Sequence, residues 1–174
     1  ALVALAFHGA LYAVIKTSDD LEKQAKGWVT LSGPVYLVLS IVAIVVTVLT
    51  QPHLVENYKT VPVLWAIPVV TIALIAGAIV YAKKDKPGTA FLFSSLSIAG
   101  LMAGGGAGLF PRLVPALGNP ALDMTAGNSS SSPLTLKIMF ILAVIGVPIV
   151  AGYTIWVYRL FAGKVDVDHE SSHY

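Results

Sequence analysis

Charged residues interrupt this chain so rarely that its apolar segments can be read off directly. The runs are Ala1–Ile15, Trp28–Gln51, Thr60–Ala82, Gly88–Pro111 and Pro133–Phe161, the last carrying only Lys137 and Arg159 near its ends. A helix rises ~1.5 Å per residue, so ~20 apolar residues are needed to cross a ~30 Å hydrocarbon core. Runs two to five reach that length. The first meets Lys16 after fifteen residues, about 22 Å at the same rise. No basic region precedes it, so it does not read as a signal peptide. Ala1 is expected to be an internal residue of a longer span whose upstream part is missing. The prediction is an all-α polytopic membrane protein: a helical bundle of about five transmembrane helices, the first truncated, forming one transmembrane domain over residues 1–174.

The connections differ in kind. Ser18–Gly27 (SDDLEKQAKG) is short and charged, with Glu22 and Lys26 at an i, i+4 spacing that suits a helical turn or two. Residues 83–87 (KKDKP) predict a tight basic turn. Arg112–Ser132 is the longest connection, rich in Pro, Gly, Asn and Ser. At its end Ser132 is placed to cap a helix that opens with Pro133 at its first position. Asn128-Ser129-Ser130 matches a glycosylation sequon, a pattern common by chance. Pro34, Pro68 and Pro148 fall inside spans and are expected to kink them, which membrane helices tolerate.

Composition narrows the class. Of 174 residues, 56% are hydrophobic and 11% charged, under half the ~25% charged share of a soluble domain. Mean hydropathy is +0.81. A water-soluble monomer and a disordered chain are both excluded. There are no cysteines, which removes disulfides, thiol catalysis and thiolate-bound metals. The net charge of +2, with no basic stretch interleaved with aromatics, gives no footprint for nucleic acid.

Where the charges sit says more than how many there are. Alternating spans put Lys16, Lys23, Lys26, Lys83, Lys84, Lys86, Arg159 and Lys164 on one side, and Lys59, Arg112 and Lys137 on the other. The lysine-rich side is assigned to the cytoplasm, and the C-terminus with it. Trp28, Tyr81, Trp156 and Tyr158 then fall near inner ends, and Tyr58 and Trp65 near outer ends, as interfacial belts require.

Chemistry at depth needs ionisable groups, and none of the nine acidic residues lies deep in a span. The chain is therefore a poor proton pump or cation transporter by itself. His8 is the exception, eight residues before Lys16 and so about 12 Å from the inner end. It can be read as a haem or metal ligand, as a member of a proton path, or as a neutral imidazole hydrogen-bonded to a neighbouring helix. Met102 and Met139 are conceivable axial partners without supporting spacing. His53, His169 and His173 fall in a loop and the tail, where they are expected to be solvated. Gly100, Gly104 and Gly108 recur every fourth position within Ala99–Gly108 (AGLMAGGGAG). Such spacing suits close helix packing, the alternative being a backbone opened to a ligand. Lys137, one turn into the fifth span, can snorkel outward.

Several segments carry a family resemblance. Phe7–Thr17 (FHGALYAVIKT), Asn128–Met139 (NSSSSPLTLKIM) and Val147–Val165 (VPIVAGYTIWVYRLFAGKV) resemble the second half of subunit II of cytochrome bd-type quinol oxidases. The small-residue-rich Leu96–Pro111 is similar to that family's corresponding helix. The resemblance implies a subunit of a prokaryotic plasma-membrane enzyme that oxidises quinol and reduces dioxygen to water, contributing to the proton gradient. It further implies that haems b558, b595 and d belong to partner subunit I, and that this subunit binds no haem. This subunit would act as scaffold and heterodimer partner, and it can hold a structural quinone. A small accessory subunit and membrane lipid complete the implied surroundings. The resemblance favours a packing role for His8 and assigns this chain no catalytic, cofactor-binding or metal residues. Gly152, Tyr153 and Trp156 of the fifth span are expected at the contact with subunit I. A transporter or channel subunit is the competing class, motivated by the glycine-rich fourth span and the internal prolines.

Overall fold

A computed structural model describes residues 1–116 and 119–163. Lys164, His169, His173 and the end of the Val147–Val165 motif lie outside the described residues. The elements are α1 (Leu2–Lys16), α2 (Asp19–Thr50), α3 (Pro52–Thr60), a 3-10 turn (Pro62–Trp65), α4 (Ala66–Lys83), α5 (Pro87–Leu109), β1 (Arg112–Val114), a second 3-10 turn (Pro120–Leu122), β2 (Met124–Thr125) and α6 (Pro133–Leu160). Four stretches are long and apolar enough to cross a membrane: Asp19–Thr50, Pro62–Lys83, Pro87–Leu109 and Pro133–Leu160. α1 is the shorter apolar helix, at 15 residues. The chain is an all-α polytopic membrane protein. It divides into two compact units, Ala1–Leu109 and Phe110–Gly163.

The first unit is a ring of four helices: α1 packs on α2 and α5, α2 on α4, and α4 on α5. Its interior is built from Phe7, Leu11, Tyr36, Ile75, Ala78 and Ala90, but buried positions also include Gly33, Ser40, Thr71, Ser94 and Ser97. Lipid is as apolar as leucine, so helices gain little by hiding large aliphatic side chains from it. Small residues that allow close approach hold them together instead. The bulky apolar residues accordingly face outward, as with Leu39, Val45 and Val69.

Two expectations change here. The segment read as a connection over 18–27 is the start of α2 itself, which begins at Asp19 and runs 32 residues. Leu, Glu, Lys, Gln and Ala are strong helix formers, and Asp19, Asp20 and Glu22 in the first turn complement the helix dipole. Glu22 and Lys26 do pair, at 3.1 Å. At ~1.5 Å per residue α2 is about 48 Å long, more than a ~30 Å core needs, so its charged first turns extend beyond it. The second change concerns His53, read as a loop residue. It lies in α3, half-buried, because Pro52 opens a helix at its first position and Val55 buries itself.

Proline positions also separate. Pro34 and Pro148 are inside α2 and α6. Pro68 is the third residue of α4, in the first turn, where a missing N–H costs least.

The second unit opens with a two-stranded antiparallel hairpin where sequence reading placed only a loop, with Arg112 opposite Thr125 and Val114 opposite Met124. Asp123 organises it. This carboxylate is buried, takes Arg112 Nε at 2.9 Å on one oxygen and accepts the Ala116 N–H at 2.7 Å on the other. Asn128 closes the turn by donating to the Asp123 carbonyl and accepting from Thr125 N–H. α6 then starts as its sequence directs: Pro133 follows Ser132, whose hydroxyl accepts from Thr135 N–H at 3.3 Å.

Candidate functional site

The positions that meet polar or close-packed partners inside the first unit share one stripe of α5. Ser94, Ser97, Gly100, Gly104 and Gly108 are spaced by three or four residues, which places them on a single helical face. Each meets something different.

At its N-terminal half the stripe carries hydroxyls. Ser94, fully buried, has its Oγ 3.1 Å from His8 Nδ1 of α1. The imidazole stacks on Phe91 with ring centroids 4.3 Å apart. Ser97, also fully buried, donates to the Ser94 carbonyl at 2.8 Å, leaving its oxygen facing Tyr36 Oη of α2 at 3.2 Å. One face of α5 thus links α1 and α2 through side-chain hydrogen bonds. Each would leave a costly unpaired polar atom in hydrocarbon if broken.

At its C-terminal half the stripe carries glycines, and the partners come closer. A Cβ added at Gly100 would collide with the Thr71 hydroxyl of α4, and one at Gly108 would lie 2.9 Å from the Leu54 carbonyl of α3. At Gly104 it would lie 3.5 Å from Tyr58 Oη. The absent side chain leaves the Gly104 carbonyl open to Tyr58, whose hydroxyl donates to it at 2.6 Å. Asn57 donates to the Ala107 carbonyl at 2.8 Å. Burial pushes the Tyr58 phenol up from its ordinary value, so it stays neutral and remains a donor.

Between these glycines and α2, α3 and α4 lies a cavity of about 250 Å³. It is lined by Thr47, Leu54, Tyr58, Trp65, Thr71 and Gly104, among others. The Tyr58 and Trp65 rings pair across 5.3 Å at its rim. The volume is a little below the ~300–1,000 Å³ of typical small-molecule sites, and the walls are nearly all apolar. Two of its wall hydroxyls are engaged, Tyr58 with Gly104 and Thr71 with the Ile67 carbonyl at 2.8 Å, and Ser40 and Thr47 also line it. The site can hold an apolar group but presents few donors with which to activate one.

The other sequence candidates are not brought here. Met102 is 75% exposed on α5, turned away from the bundle that holds His8, and Met139 is exposed on α6 of the second unit. Gly152 has open space where a Cβ would go, and Tyr153 and Trp156 are exposed with rings 6.1 Å apart. Lys137 is exposed. Among the described residues no three His, Asp or Glu side chains gather as a metal site would require. Sequence reading missed Tyr36, Thr71, Ser94 and Ser97. The three-and-four spacing that joins the serines to the glycines was the available signal.

The comparisons with known proteins bear on the whole arrangement. The family described as cytochrome bd terminal oxidase subunit II matches residues 1–161. This chain belongs to that family. The bd oxidase subunit II sequence of Escherichia coli K12, "Cytochrome bd-I ubiquinol oxidase subunit 2", is 37% identical over 109 residues, covering 63% of this chain and 29% of the relative. "Probable cytochrome oxidase subunit 2" of Haemophilus influenzae is 33% identical over 113 residues, 65% of this chain and 30% of the relative. "Cytochrome bd ubiquinol oxidase subunit 2" of Bacillus subtilis is 28% identical over 159 residues, 91% of this chain and 46% of the relative. The chain therefore spans between about a third and a half of the length of these subunit II relatives.

Proposed function

We propose that this chain is the haem-free scaffold half of subunit II in a prokaryotic plasma-membrane quinol oxidase, a complex that couples quinol oxidation to reduction of dioxygen to water. The family membership over residues 1–161 carries this reading. Residues 1–174 form its transmembrane domain, with the C-terminus in the cytoplasm by the lysine distribution. The physical support is what fills the bundle. A haem needs room and an axial ligand, and His8, its one intramembrane imidazole, sits with Nδ1 against Ser94 and its face against Phe91. His8 is half-buried, with the fully buried Phe7 and Leu11 near it along α1. The His8 imidazole is already engaged by Ser94 and Phe91, which supports a packing role for it, and b558, b595 and d are assigned to subunit I.

A quinone in this chain would be structural. The apolar cavity beside Gly104 could accept a ring or part of an isoprenoid tail, while its walls, nearly all apolar, offer little to assist proton release. The partner is subunit I, with α6 supplying part of the contact through Gly152, Tyr153 and Trp156, and a small accessory subunit joins the pair. The second reading, a transporter or channel subunit, rests on the same glycines, which line the apolar cavity, while Gly100 and Gly108 also lie close against Thr71 and Leu54.

The decisive experiment is a reduced-minus-oxidised spectrum of the native complex purified through this chain. Bands of b- and d-type haem are expected in stoichiometry with it. Their absence would overturn the reading.

A further inference from the structure

At the opposite end of the first unit from the glycine-lined cavity is a second opening, about 210 Å³, between α1, α2 and α4. Its floor is aliphatic: Leu11, Val14, Val29 and Ile79. Its mouth carries Lys26, Lys83 and Asp85. The carboxylate there is already paired, since Asp85 Oδ1 lies 2.9 Å from Lys26 Nζ, and Lys26 also reaches Glu22 at 3.1 Å. Asp19 and Asp20, further along the first turn of α2, do not line the opening.

That pairing leaves the turn between α4 and α5 with an excess of positive charge. Lys83, Lys84 and Lys86 are all exposed, and the turn's single acid is the one bound to Lys26. Lys84 leans over the Tyr81 ring, 5.9 Å from its centroid. The first turn of α5, with Pro87 at the rim, adds the positive end of a helix dipole. Setting the orientation of the helices requires only that lysines lie on this side. It does not require an aliphatic crevice directly beneath them.

We propose that this crevice binds one anionic phospholipid, its phosphate held by Lys83 and Lys86 and the upper part of an acyl chain lying on Leu11, Val14, Val29 and Ile79. A cationic mouth over an apolar slot at the water–hydrocarbon boundary matches both halves of such a lipid. Basic pockets between transmembrane helices recognise anionic head groups on this basis. A zwitterionic lipid would bring its own ammonium group against the lysines and bind more weakly.

The test is lipid retention by the native complex holding the full chain. It is reconstituted in phosphatidylcholine nanodiscs with a minor fraction of phosphatidylglycerol and read by native mass spectrometry after release. No turnover is involved, so the outcome is independent of the oxidase reading. The triple variant Lys83→Gln, Lys84→Gln, Lys86→Gln should lose retained phosphatidylglycerol, by roughly fivefold per contributing lysine. Thr30→Trp, at an exposed position on the crevice wall, should lose it too by filling the slot with every charge intact. Lys59→Gln, on the other side of the membrane, should not. Equal retention in the triple variant and the parent overturns the proposal. Loss in the triple variant but not in Thr30→Trp also overturns it, because diffuse surface attraction would then suffice. Lysine-dependent binding of inorganic phosphate to the delipidated complex, without phosphatidylglycerol retention, would overturn the lipid as source.

Discussion

α5 and α6 look alike along the sequence and behave differently in the structure. Both are long apolar helices, with mean hydropathies of 1.5 and 2.4 over their most apolar windows. α5 has a buried stripe, Ala90, Ser94, Ser97 and Gly108, that meets α1, α2, α3 and α4. Within its own unit α6 has no buried residue. The lower hydropathy of α5 reflects its serines and glycines, which its neighbours satisfy. The higher value of α6 belongs to a helix that is apolar all round and finds its cover outside its own unit. In a membrane protein the less hydrophobic helix is thus the better packed one, the reverse of the soluble case, because small and polar groups carry the association.

Substitutions along the two helices can break that contrast. The largest effect is expected from Gly100→Leu on α5, which drives a side chain into Thr71. The cost should exceed the ~1–3 kcal/mol of ordinary overpacking, and the complex should fail to assemble or melt far earlier in a thermal-shift assay. A stable, fully assembled variant would show that the stripe is not close-packed.

A smaller and local effect is expected from Asp123→Ala in the hairpin. Breaking a buried ion pair costs up to ~3–5 kcal/mol, less here because the Arg112 side chain keeps 30% exposure. Limited proteolysis should cut the 112–132 connection much faster while the helices survive. Unchanged cutting would mean that the loop is held by something other than this carboxylate.

His8→Phe probes the hydroxyl-bearing half of the stripe. Interhelical hydrogen bonds in membranes are worth about 0.6 kcal/mol, at most ~1.7, so a modest drop in melting temperature is expected with unchanged haem spectra. Loss of a haem band on this single change would assign His8 to a cofactor after all. The smallest effect on stability is expected from Gly152→Leu on α6, where there is open space. The chain itself should be as stable as before while co-purification with subunit I declines. Undiminished co-purification would remove Gly152 from the proposed contact.

Much of this was legible beforehand, and what was missed has physical causes. The apolar stretches stand out because transfer into hydrocarbon depends on local composition alone, and the ends of α5 and α6 fall within two residues of the predicted runs. Ser132 and Pro133 announced the start of α6 because capping is a matter of adjacent residues. α3 was passed over because nine residues with His53, Glu56, Asn57 and Lys59 read as a loop. Only the contact of its Leu54 and Tyr58 with α5 makes it a packed helix. The hairpin escaped notice because its organiser, Asp123, acts through Arg112, eleven positions away.

For this protein, then, the sequence alone determined the class, most of the apolar stretches and the family. Each of these rests on local transfer energies, charge placement or residue identity. Which face of each helix turns inward was left to the tertiary structure. Where lipid and protein interior are equally apolar, no hydrophobic gradient marks a buried face. The partners of Ser94, Ser97, Gly100 and Gly108 become visible only once α1, α2, α3 and α4 are placed beside them.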